Sequence, residues 1–306
     1  MSNYQDFGFA NDEYNGELTT PPYCQFLNAG SKNYGIAITP ANAQLAEFEP
    51  IFAGADAGAS RLREAKSADY MQLKPLCPPW RAIEHEFSDG TTEMLLVTQQ
   101  PRLLILNRSM PLMSNDVETI PYSKDKFQLG NYKAFSYVIV WFLDNFNKPL
   151  SKLPFRLKCS GYSGYTFLKN YSYYNNPDSF CQKFLTTYKT LTGDRAINKN
   201  EIFYAHGVYQ PTLTRQKATS SVNGQSSFAV MTDRFIEPTK DNFASLIIKN
   251  GSQVSNQIKE FIETTKPWLK TETVKPEPDE SEKIQTNEPK GQNGIKAGLT
   301  PEPISF

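Results

Sequence analysis

KAFSYVIVWFLDNFNKPLSKLPFRLKCSG, residues 133–161, decides the reading of the fold. From Phe135 to Leu143 the chain is β-branched and aromatic almost without a break, which suits a strand buried on both faces. Asp144 to Asn147 supply turn chemistry. Phe155-Arg156-Leu157-Lys158-Cys159 then alternates with period two, so Phe155, Leu157 and Cys159 face inward and Arg156 and Lys158 share the open face. A central strand beside a half-exposed, cationic one predicts a sheet that shows water a basic surface.

Working outward, PPYCQF and Tyr34 to Ile38 read as strands, with a helix opening at Pro40 and capped by Thr39. TTEMLLVTQQPRLLILNRS reads as two more strands split near Gln99 to Pro101. FAGADAGASRLREAKSADY, residues 52–70, reads as a loop or weak helix. SFCQKFLTTYKTLTG is the clearest helix, with Ser179 as N-cap, an apolar stripe of Phe180, Phe184, Leu185, Tyr188 and Leu191, and Gly193 as left-handed C-cap. EIFYAHGVYQ and QSSFAVMTDRFI read as strands separated by an exposed loop, TLTRQKATSSVNG, and NFASLIIKN and SNQIKEFIETTKPWL as helices. The order is α+β: a curved, OB-like antiparallel sheet with peripheral helices and disordered termini.

Three segments follow. Residues 1–20 form a flexible acidic arm, 21–269 a globular body, and 270–306 a disordered tail rich in Pro, Glu, Lys and Gly, too apolar-poor to offset ordering entropy. Lys plus Arg and Asp plus Glu both total 32, yet the balance is uneven. Residues 1–123 carry 8 basic and 15 acidic side chains, 124–217 carry 14 and 5, and 218–306 carry 10 and 12. A neutral chain therefore holds a basic middle.

Several chemistries are excluded or disfavoured. Phosphate-binding glycine loops, the GxSxG elbow and HExxH are missing, and the four cysteines and two histidines lack metal-site spacing, so no metal and no cofactor is expected. His85, between two glutamates, reads as a solvated turn, and His206 as core or sheet surface. Scattered cysteines read as reduced and buried. Without a membrane-length apolar run or a basic-then-apolar start, the chain is expected to be soluble and cytoplasmic.

Nucleic-acid binding fits the basic middle best, since it needs dispersed cations for phosphates and flat rings for bases. GYSGYTFLKNYSYYNNP places six aromatic rings within residues 162–174. Read as a strand, Tyr165 to Tyr171 puts Tyr165, Phe167, Lys169 and Tyr171 on one face. Lys133, Arg156, Lys158 and Lys169 would meet phosphates; Tyr162, Tyr165, Phe167, Tyr171 and Tyr173 would stack on bases; Arg215 and Lys217, in the polar loop, would fold over the strand. The expected activity is non-catalytic binding of single-stranded nucleic acid, with DNA favoured. Two alternatives stay open: a protein–protein adaptor using the same rings, because tyrosine and arginine also favour such interfaces, and an enzyme with an unfamiliar site.

PPYCQFLNAGSKNYGIAITPANAQLAEF (21–48) and PRLLILNRSMPLM (101–113) resemble an uncharacterised family associated with cyanobacteria and their plasmids, over about residues 20–270. That resemblance implies no activity. A compact body, a polar linker and the ending PEPISF are similar to the layout of bacterial and phage single-stranded DNA-binding proteins. The similarity implies that Glu302, Ile304 and Phe306 dock on replication or repair proteins, although only one acid precedes the phenylalanine where that family has several.

Overall fold

The computed structural model describes residues 21–269 except 29, 31, 50–78, 88–89, 116, 129–131, 173–175, 196–198 and 220–225. The expected acidic arm, the segment 52–70, Cys77, Tyr173 and the tail with Glu302, Ile304 and Phe306 lie outside these residues.

In chain order the strands are β1 (Tyr23–Asn28), β2 (Tyr34–Ile38), β3 (Trp80–Glu86), β4 (Thr92–Thr98), β5 (Leu103–Arg108), β6 (Leu112–Ser114), β7 (Thr119–Pro121), β8 (Lys133–Phe142), β9 (Phe155–Ser160), β10 (Val208–Tyr209), β11 (Pro211–Thr219) and β12 (Ser226–Phe235). The helices are α1 (Pro40–Leu45), α2 (Lys124–Gln128), α3 (Gly161–Ser172), α4 (Phe180–Thr192), α5 (Glu201–Ala205) and α6 (Gln253–Thr264). Ten strands make one sheet in the order β10-β5-β8-β9-β1-β2-β4-β3, with β6 between β7 and β8. Its pairings are antiparallel except β1 beside β9. The path is open, so this is a mixed α+β fold dominated by a large antiparallel sheet, and the expected OB-like barrel is not closed.

From Val138 to Phe142, β8 is buried without a break because it has a core on each side. Val138, Val140 and Phe142 join Phe155, Leu157 and Cys159 of β9 in the larger core, with Phe167, Tyr171, Phe180 and Phe184 of α3 and α4 above them. Ile139, Trp141 and Leu143 point the other way, toward Ile258 and Ile262 of α6. The hairpin β11–β12 packs beside α3. There Thr166 Oγ1 accepts from the Thr232 amide at 3.1 Å and Asn170 Nδ2 donates to the Thr232 carbonyl at 3.3 Å. These two side chains satisfy the β12 edge as a neighbouring strand would.

Local signals hold at many places. Thr39 accepts from Asn42 N at the start of α1, and Gly193 closes α4 with φ +70°. Ser179 has the extended backbone of an N-cap, but its hydroxyl makes no capping bond and is buried without a partner. Four expectations need correction. TLTRQKAT is the strand β11, where pairing with β12 overrides its polarity. EIFYA is a helical turn capped by Asn200, followed by a two-residue strand. NFASLIIKN holds only a 3-10 turn at Phe243–Ser245. Tyr165 to Tyr171 is helix, not strand.

Candidate nucleic-acid interface

On β9, alternation places Arg156 and Lys158 on the sheet face away from α3. In register, Arg156 lies opposite Ile139 and Lys158 opposite Tyr137, so these side chains share a face with the odd-numbered residues of β8. Lys133 and Phe135 belong to that set by period two. Each cation leans diagonally across the strand pair: the Arg156 guanidinium carbon lies 4.6 Å from the Tyr137 ring centroid, and Lys158 Nζ 4.8 Å from that of Phe135. The cationic heads lie over the rings, and both residues are half-exposed. Tyr23 sits beside Arg156 through the parallel β1–β9 pairing and carries a further ring to the same face. Among the described residues the Arg156 side chain has no hydrogen bond or ion pair. Tyr23, Phe135 and Tyr137 are rings that the sequence reading missed; their register opposite or beside β9 was the signal.

α3 takes the remaining rings elsewhere. It opens straight off β9 through Gly161, whose φ of +54° makes the strand-to-helix corner. Gly164 then lies so close that a Cβ there would sit 2.3 Å from the Cys159 carbonyl carbon. Phe167 is fully buried, with its ring centroid 5.7 Å from that of Phe26 and 5.5 Å from that of Tyr209. Tyr171 is buried against Phe180 and Tyr209. Both were expected to stack on bases; both are core. Tyr162 and Tyr165 stay half-exposed, and Lys169 is exposed with Nζ 5.8 Å from the Tyr165 centroid. This group lies across the sheet from Arg156 and Lys158. One common patch is not formed.

A third group sits on the hairpin. Arg215 and Lys217 belong to β11, and Val230 and Phe228 of β12 lie opposite them. The Arg215 guanidinium carbon is 3.9 Å from the Phe228 ring centroid, and its Nε donates to Asn28 Oδ1 at 2.8 Å. Phe228, 49% exposed, also escaped the sequence reading.

The histidines and cysteines carry no site. His85 lies in β3 opposite Glu93, not in a turn; its Nε2 is buried without a partner, and burial pushes its pKa down. His206 caps α5, buried as expected although not in a strand; Nδ1 lies 2.6 Å from the Ile202 carbonyl oxygen and Nε2 2.9 Å from Ser255 Oγ. Cys24, Cys159 and Cys181 are free and buried, which raises all three thiols, Cys181 to about 12. No group of three or more His, Cys, Asp or Glu suited to a metal occurs among the described residues. No described helix is long and apolar enough to cross a membrane.

The family model for a domain of unknown function, DUF5895, matches residues 61–281. The chain belongs to this family. A resemblance to an uncharacterised family was expected from the sequence, and the membership agrees with it at that level. The chain is also 24% identical over 189 residues to "Uncharacterized protein 254L" of Invertebrate iridescent virus 6, covering 57% of this chain and 54% of the viral one. The chain thus spans about half the length of this curated relative. No solved structure matches. Within the DUF5895 match lie β3 to β12 and α6, and so every described residue of the cation–ring ladder on β8 and β9.

Proposed function

We propose that this DUF5895 protein binds single-stranded nucleic acid, DNA by preference, on the sheet face built by β8 and β9, and performs no catalysis there. The observation that carries the reading is the pair of diagonal contacts, Arg156 over Tyr137 and Lys158 over Phe135, with Lys133 two residues along the same strand face. Such contacts hold the cations in place before a ligand arrives, which reduces the ordering cost of binding. A guanidinium lying on a ring also offers its own outer plane to a base, while its N–H groups reach phosphates. The site is smaller than the sequence predicted. Lys133, Arg156 and Lys158 remain as phosphate contacts, Tyr23 and Tyr137 join them, and Phe167 and Tyr171 leave. A cytoplasmic location and docking of replication or repair proteins on Glu302, Ile304 and Phe306 belong to the same proposal.

The test is a fluorescence-anisotropy titration with a labelled single strand and its duplex, for the wild type and for Arg156→Gln with Lys158→Gln. The single strand should bind the wild type more tightly than the duplex does, and the double variant should weaken it about tenfold or more while melting as the wild type does. Equal binding by both proteins refutes this site.

A further inference from the structure

From the geometry of the hairpin β11–β12 we infer a second contact point for the same ligand, resting on the single-strand reading above: a phosphate on Arg215 and a stacked base on Phe228. Asn28 prepares the pair. Its Oδ1 accepts from Arg215 Nε at 2.8 Å and its Nδ2 donates to the Phe228 carbonyl at 2.6 Å, so one amide fixes both the guanidinium and the strand that carries the ring. The guanidinium then lies on Phe228 at 3.9 Å. Among the described residues neither Nη of Arg215 has an acceptor. A fork held at Nε and close over a ring, with its two terminal nitrogens open, suits a phosphodiester oxygen pair. Lys217, exposed and directly opposite Phe228, adds a second cation to the same hairpin face.

Topology places this pair where the first site can reach it. β1 runs parallel to β9, with Tyr23 beside Arg156 and Cys24 beside Leu157, and that register carried onward brings Asn28 at the end of β1 level with Gly161, the first residue of α3 just past β9. Phe135 lies opposite Ser160, which sets Lys133 and Phe135 at that same end of the sheet. A strand bound along Arg156, Lys158 and Lys133 therefore leaves the sheet face at the end where Arg215 and Phe228 stand. The ligand class is accordingly a single strand long enough to turn over that end, not a mononucleotide or a short oligomer.

The experiment compares labelled oligothymidylates of about six and about thirty nucleotides, lengths near the short end of and well above the roughly 4 to 16 nucleotides that one binding fold usually covers. Phe228→Ala and Arg215→Lys are measured with Arg156→Gln as reference, and each melting temperature is checked. Both hairpin variants should weaken the long oligomer about tenfold and leave the short one unchanged, whereas Arg156→Gln weakens both. Phe228 is half-exposed, so its truncation leaves the fold standing and separates contact from stability. Unchanged long-oligomer binding in Phe228→Ala and Arg215→Lys, or equal losses at both lengths, overturns the hairpin contact while the sheet site stands. A wild type that binds neither length overturns both.

Discussion

Phe167 and Tyr165 lie two residues apart and have opposite duties. Phe167 fills the space between Phe26 and Tyr209, so Phe167→Ala should cost about 3 to 5 kcal/mol in urea unfolding. Tyr165, half-exposed beside Lys169, should tolerate Ala within roughly 0.5 kcal/mol. A reversed order would mean that α3 is turned the other way. The helical signal was present in the sequence: Gly164, Phe167, Leu168 and Tyr171 follow the 3.6 period, and α3 buries all four together with Thr166. Tyrosine, phenylalanine and threonine are good strand formers, and that local preference hid it. Packing decided. Gly164 lets the helix axis approach β9, and burial of Phe167 and Tyr171 outweighs propensity. Arg156 and Lys158, by contrast, were legible as an outward pair because period two along β9 involves no competing pattern. Their rings were not, since Phe135 and Tyr137 reach them only through cross-strand register, which one strand's sequence does not contain.

Among the elements, β1 and β2 occupy a position out of proportion to their length. They stand between β9 and β4, so among the described residues β3 and β4 join the rest of the sheet only through them. The DUF5895 match begins at residue 61 and leaves both outside. A fragment of residues 61–281 should therefore lose its cooperative thermal transition by circular dichroism, because β4 and β9 would each lose a partner strand and Cys24, Ile36 and Ile38 would leave the larger core. A sharp melt near that of the full chain would show that the matched segment closes its own sheet. β1, β2, α1, β4, β5, β8, β9, α4 and α6 were legible, each from local periodicity or a cap. β11 was not: Thr, Arg, Gln and Lys look like loop until β12 pairs with them.

Across the whole molecule, the excess of basic residues in 124–217 is a property of sequence that the fold divides. β9 turns two of its cations to one face of the sheet, α3 carries Lys169 to the other, and Arg215 and Lys217 lie on the hairpin. Charge counted along a chain cannot reveal this, because a strand followed directly by a helix sends neighbouring residues to opposite sides of a layer. The proposed binding site thus shrinks to the β8–β9 ladder, with the hairpin as the proposed second contact. The salt dependence of single-strand binding tests that ladder most directly. The slope of log K against log salt should fall by about 0.7 for each phosphate contact removed, so Arg156→Gln with Lys158→Gln should flatten it by about 1.4 relative to the wild type. A slope identical in the two proteins, or wild-type binding indifferent to salt, contradicts the account.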